Sequence, residues 1–114
     1  METTRQHKIS RLIQKDLSDI FQRESKTLFH GAMITVTKVH VTSDLSIAKI
    51  YLSLFATRDK NGLINDIKLH TREIRFKLGR RIAHQIRVVP DLHFFVDDSL
   101  DYIEKIEKLL DDKK

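Results

Sequence analysis

The side chains in this sequence best placed to do chemistry are cations, and they are crowded together. Lys68, Arg72, Arg75, Lys77, Arg80, Arg81 and Arg87 lie in one stretch whose only acid is Glu73. That stretch carries +6 while the 114-residue chain carries +5, which leaves the rest of the protein close to neutral. A concentrated positive field attracts a polyanion and gains affinity from the counterions that the phosphates release. Ordinary surfaces intersperse the two signs, so these residues form the candidate phosphate-binding set.

Other chemistries find little footing. There is no cysteine, which removes disulfides, thiol nucleophiles and thiolate metal sites and suits a reducing compartment. The six histidines, His7, His30, His40, His70, His84 and His93, never pair at three- or four-residue spacing and have no carboxylates gathered around them. Neither a metal nor a cofactor is therefore expected. Asp97 and Asp98 precede Ser99 and a helical pattern, where capping and the helix dipole explain them better than magnesium or acid–base chemistry. Gly31, Gly62 and Gly79 are too dispersed to form a phosphate loop, and no nucleophile elbow exists. A binding protein is expected, not an enzyme. The N-terminal METTRQHKISRLIQKDL sustains no apolar run and nothing approaches the length of a membrane span, so the reading is a cytoplasmic protein with no membrane role.

The elements that must position the cations follow from periodicity. Ile9, Leu12, Ile13, Leu17, Ile20 and Phe21 mark one face of a helix from about Thr4 to Ser25. Met33 to Thr42 is rich in β-branched residues, but Ile34 and Val36 share one parity and Val39 and Val41 the other, which predicts a bulge near Thr37 and Lys38. A polar turn, Thr42-Ser43-Asp44-Leu45-Ser46, leads into Ala48, Ile50, Leu52 and Leu54, and these two strands should form an antiparallel hairpin. Arg58 to Gly62 reads as a polar connection, with Leu63, Ile64 and Ile67 opening a short helix after it. Ile74, Leu78, Ile82 and Ile86 recur at four-residue steps, opposite Lys77, Arg80, Arg81 and His84. The stripe should dock on a sheet while the cations stay in solvent. Gly79 and Ala83 form a small-residue strip that suits close approach by a neighbouring element or, as the alternative, by an RNA backbone.

Pro90 turns Val89 towards extended geometry and opens a third strand in which Leu92, Phe94 and Val96 alternate with His93 and Phe95. A last helix would carry Ile103, Ile106, Leu109 and Leu110. The order is α-β-β-α-α-β-α, an α+β fold forming a single domain over residues 1–114. The second and third strands can run parallel through a helical crossover that covers one face of a three-stranded sheet.

Three blocks of this sequence resemble the ribosome-binding factor A family. They are Lys8-Ile9-Ser10-Arg11-Leu12-Ile13, the hairpin run from Val39 to Ser53 with its Ser43-Asp44-Leu45 turn, and Ile74-Arg75-Phe76-Lys77-Leu78-Gly79 continuing through Val89-Pro90-Asp91-Leu92-His93-Phe94 to Asp97-Asp98-Ser99. They occur in order over nearly the whole chain. The resemblance implies a type II KH domain that binds the free small (30S) ribosomal subunit and its 16S rRNA. It also implies help in late maturation, including processing of the 5′ end, and departure before translation. Two departures stand out. No GXXG clamp exists between the helices, and where the family writes its inter-helix kink Ala-x-Gly the aligned residues are His70-Thr71-Arg72. The chain closes on Asp111-Asp112-Lys113-Lys114, so no contact from a longer tail is expected.

The preferred reading is a monomeric, non-enzymatic assembly factor using Lys68, Arg72, Arg75, Lys77, Arg80, Arg81 and Arg87 on RNA. A general single-strand RNA-binding KH module is the alternative, and it would need more stacking aromatics than the basic helix offers. A domain that dimerises through its sheet or first helix is a second alternative, with only general apolar content behind it.

Overall fold

Helix α1 (Thr4–Leu28) is fixed by its ends as much as by its apolar stripe. In the computed structural model, which describes residues 3–55 and 59–97, Thr3 caps it. The Thr3 hydroxyl accepts the Gln6 amide at 3.2 Å while the Gln6 side chain accepts the Thr3 amide at 2.7 Å. This reciprocal box satisfies amides that a first turn leaves without partners. Gln6 also donates through Nε2 to the Val41 carbonyl at 2.9 Å, tying the start of α1 to the end of the first strand. Ile9, Ile13, Leu17, Ile20 and Phe21 are buried, as the spacing predicts. The helix runs past Ser25 to Leu28, and Phe29 beyond it still enters the core.

Strands β1 (Met33–Val41) and β2 (Ile47–Phe55) form the antiparallel hairpin, with the register shifting between Val36 and Lys38 at the expected bulge. The bulged residue takes backbone groups off the ladder, and α1 supplies a partner: Gln14 Nε2 donates to the Val36 carbonyl at 3.2 Å. In the hairpin turn Asp44 Oδ1 accepts the Thr42 hydroxyl at 2.7 Å, the Ser46 hydroxyl at 2.8 Å and the Ser46 amide at 3.1 Å. These bonds hold Leu45 at φ 63, a left-handed conformation that a leucine adopts only where its surroundings impose it.

Helices α2 (Lys60–Leu69) and α3 (Thr71–Ile82) then cross back to β3 (Asp91–Val96), which pairs parallel with β2 in a sheet of order β1-β2-β3. Helix α2 opens three residues before the predicted Leu63. Asp59 caps it by accepting the Gly62 amide at 2.8 Å, and a Cβ at Gly62 would strike that carboxylate, so the glycine read as a loop signal is a helical residue that makes room for the cap. Helix α3 stops at Ile82, short of the predicted Ile86. The amides of Gln85 and Ile86 both fold back on the Ile82 carbonyl, at 2.9 and 3.1 Å, which closes the helix with a turn. The predicted last helix, with Ile103, Ile106, Leu109 and Leu110, lies outside the described residues.

One core lies between the helices and the sheet. Ala48, Ile50, Leu52 and Leu54 of β2 and Leu92 and Phe94 of β3 meet Ile74, Leu78 and Ile82 of α3, all buried. The other face carries Lys38, Lys49, His93 and Phe95 in the open, with Phe95 stacked on Tyr51 at 5.4 Å between ring centres. Phe94 is 2% exposed and meets Phe21 edge-on at 5.9 Å. Phe94→Ala should therefore cost about 3 to 5 kcal/mol of stability, read from a denaturant titration. A near-native midpoint would move that ring out of the core.

Candidate nucleic-acid interface

The basic helix is mounted by its apolar stripe and by its junction with α2. His70 closes α2 and opens α3 with φ −96 and ψ 11, so the kink sits at this one residue. Its backbone amide donates to the carbonyls of Asp66 and Ile67, and its ring Nδ1 lies 2.7 Å from the Asp66 carbonyl. A carbonyl only accepts, so the contact requires hydrogen on Nδ1. Thr71 Oγ1 donates to the Lys68 carbonyl at 2.8 Å, and the His70 ring packs edge-on against Phe29 at 5.7 Å. Bonds from His70 and Thr71 to the last carbonyls of α2 thus hold the bend, with no small residue at the junction. At Gly79 an added Cβ would lie 3.3 Å from Val89 Cγ2, so this glycine lets the α3–β3 connection pack close.

The predicted cations divide into two groups. Lys68, Arg72, Arg80 and Arg87 are exposed and have no acidic partner among the described residues. Arg75, Lys77 and Arg81 are engaged within the protein. Arg75 donates to the Val89 carbonyl at 2.6 Å and the Pro90 carbonyl at 3.1 Å, and lies 3.7 Å from Asp91. It therefore holds the entry to β3. Lys77 meets Glu24 at 2.7 Å and Glu73 at 3.6 Å. Arg81 meets Asp19 at 2.6 Å and Asp16 at 3.6 Å, while Asp19 also bonds Arg23 at 3.0 Å.

Glu73 is therefore not the only acid balancing the cluster. The expectation that the whole set stands free in solvent fails because α1 packs beside α3 and brings Asp16, Asp19 and Glu24 to it. His84, placed on the basic face by helical spacing, lies beyond the end of α3. Arg5 comes close to Arg87 instead. It lines a cleft of about 330 Å3 with Arg87, Asp44 and the apolar side chains of Ile9, Leu45 and Ile86. Nothing in the local sequence links Arg5 to Arg87; the packing of the α1 start beside the α3–β3 connection does.

These ion pairs are half-exposed and each contributes little on its own, but they set the charge of the face. The bond from Arg81, more than any other contact, holds the Asp19 carboxyl below its ordinary 3.8. The bond to Glu24 holds the Lys77 ammonium above its ordinary 10.5. Asp19 thus stabilises the fold above 3.8, and its contribution is lost as pH falls through its lowered folded value. Lys77 contributes below 10.5 and loses its contribution as pH rises through the raised value. Across the neutral range the clasp between the helices is closed. Among the described residues no cluster of histidine and carboxylate side chains is suited to a metal, and no helix is long and apolar enough to cross a membrane.

A family model described as ribosome-binding factor A matches residues 5–110. The chain belongs to the ribosome-binding factor A family. Ribosome-binding factor A of Flavobacterium johnsoniae is 50% identical over 115 residues, spanning 100% of this chain and 88% of that protein. The crystal structure of ribosome-binding factor A from Thermus thermophilus has a TM-score of 0.68 at 21% identity, covering 80% of this chain and 94% of that one. Coordinates of the Thermus thermophilus factor fitted into a cryo-EM map of its 30S complex give a TM-score of 0.63 at 24% identity, covering 78% and 91%. At those identities the likeness to the solved structures speaks for the fold, which this chain of the ribosome-binding factor A family shares.

Two neighbouring arginines should separate in their effects. Arg81→Glu sets a carboxylate against Asp16 and Asp19 and should lower the melting temperature, whereas Arg80→Glu, with no acidic partner to lose among the described residues, should leave it near native. The melting-temperature gap between the unmodified protein and Asp19→Asn should narrow below pH 3.8, because only the former loses this contribution. A gap constant across that range would remove Asp19 from the clasp.

Proposed function

We propose that this chain is a monomeric, non-enzymatic assembly factor of the cytoplasm that binds the free small (30S) ribosomal subunit. On this reading it is one RNA-binding domain of the type II KH class. It contacts 16S rRNA in late maturation, including processing of its 5′ end. The family supports the ribosomal partner, and a homology model of the Thermus thermophilus relative has been fitted into the cryo-EM map of its 30S complex. The observation that carries the RNA contact is the division of the cations. Lys68, Arg72, Arg80 and Arg87 have no acidic partner among the described residues, which leaves them open to phosphates. Lys77 and Arg81 are paired with carboxylates of α1, and Arg75 bonds the carbonyls at the entry to β3.

The absence of a GXXG loop bears on how RNA is read. His70 and Arg72 place side chains where a clamp needs bare backbone, so amides at the junction are kept from close approach to a nucleotide. Recognition then depends on the shape and charge of folded RNA. A general single-strand KH module would instead bind short base-specific words tightly.

A titration of labelled protein against short RNAs, free small subunits and joined ribosomes at matched salt tests this. Saturable binding to free subunits, with weak and sequence-indifferent binding to short RNAs, is the expected result. Arg72→Glu combined with Arg80→Glu should abolish subunit binding without unfolding the protein. It should also flatten the dependence of log affinity on log salt for duplex RNA by about two units, at roughly 0.9 per phosphate contact. Equal affinity for free subunits and joined ribosomes would sink the proposal.

A further inference from the structure

The geometry points to Phe76 as a stacking platform for one unpaired base, with Arg72 and Arg80 holding the phosphates on either side of it. This rests on α3 being the RNA contact. Phe76 is 66% exposed, and it lies four residues after Arg72 and four before Arg80. Residues at that spacing share one ridge of a helix, about 6 Å apart along its axis. The ridge thus reads cation, aromatic ring, cation, on the side of α3 away from Ile74, Leu78 and Ile82.

A single exposed apolar residue is ordinary and needs no explanation. What distinguishes Phe76 is its setting. Phe21, Phe29 and Phe94 pack ring against ring in the core, and Phe95 stacks on Tyr51. Phe76 has no ring or cation against either face among the described residues. Its two ridge neighbours are also among the cations that α1 leaves unpaired, whereas Lys77 and Arg81 on the adjacent ridge are taken up by Glu24, Asp16 and Asp19. A protein-docking patch would surround the ring with further apolar side chains. Here the neighbours of Phe76 along the ridge are two arginines, which fits a partner that alternates charge with flat π-faces. Single-stranded or bulged RNA has that repeat, and stacking accepts any base.

Stacking and phosphate contact leave different signatures, since only the second releases counterions and depends steeply on salt. Phe76→Ala, Phe76→Leu, Phe76→Trp and the Arg72→Glu/Arg80→Glu pair should be titrated against two probes at several salt concentrations. The probes are a short single-stranded RNA and a blunt RNA duplex with the same number of phosphates. Phe76→Ala should weaken single-strand binding roughly 5- to 150-fold, by the same factor at every salt, and leave duplex binding unchanged. Phe76→Trp should retain affinity, and Phe76→Leu should lose it despite being apolar. The arginine pair should instead weaken both probes and flatten the salt dependence. All Phe76 variants should melt near the native temperature, because the ring is outside the core. Single-strand affinity unchanged in Phe76→Ala, or preserved in Phe76→Leu, would overturn the stacking role. So would a loss seen only with free small subunits and with neither RNA, which would mark a protein contact. An arginine pair that binds both probes normally would fault the reading of α3 itself, a result distinct from any of these.

Discussion

Burying Ile74, Leu78 and Ile82 against the sheet fixes the rotation of α3, and that rotation decides which cations meet α1 and which meet water. Once the stripe is down, Lys77 and Arg81 face Glu24, Asp19 and Asp16. Arg72, Phe76 and Arg80 are left on the far side. The cost of misplacing the stripe would be several buried aliphatic side chains at about 1.5 to 3 kcal/mol each, far more than any one half-exposed ion pair returns. Apolar packing therefore sets the charge pattern, and the ion pairs follow from it.

The same hierarchy explains the irregular joints. The bulge in β1 frees backbone groups, and Gln14 from α1 lies where it accepts that task because Ile13 and Leu17 are already anchored beside it. Two turns earlier, in the first turn of the helix, Gln6 bonds the Val41 carbonyl. Two side-chain amides thus register α1 against β1, one at the bulge and one at the end of the strand, which makes α1 a fixed wall for α3 to pack along. The kink at His70 works similarly: ring, hydroxyl and backbone bonds to α2 carbonyls replace the glycine that a tighter bend would use.

What was legible in the sequence depended on range. Period-2 and helical patterns located every described element, and the parity change between Val36 and Val39 located the bulge, because these signals lie within a few residues. Local rules failed where two of them competed. Gly62 read as a chain break, although it is a residue of α2 whose amide the Asp59 carboxylate caps. Ile86 continued the four-residue repeat, although the chain had to turn before Pro90. The charge balance failed for a different reason. Counting acids within the basic stretch finds only Glu73, and the acids that matter are some fifty residues upstream, adjacent only after α1 and α3 pack together. Asp16, Asp19 and Glu24 border the apolar stripe of α1, and that was the one available signal: acids beside a buried stripe face whatever packs next to it.

The partial neutralisation has a consequence for how an RNA contact on this face would behave. Each additional phosphate neutralised steepens the salt dependence by about 0.9 in log affinity and strengthens attachment to any polyanion alike. A helix presenting its full cluster would hold RNA of any shape and release it slowly. With Lys77 and Arg81 committed to α1, fewer charges reach outward, and those that do are spaced along one ridge and around the Arg5–Arg87 cleft instead of pooled in a single field. Affinity must then come from fitting several separated phosphates at once, which folded RNA of one shape provides and a random strand does not. On the proposed reading, silencing part of the charge favours discrimination by shape, and the carboxylates of α1 that meet Lys77 and Arg81 are what silence it.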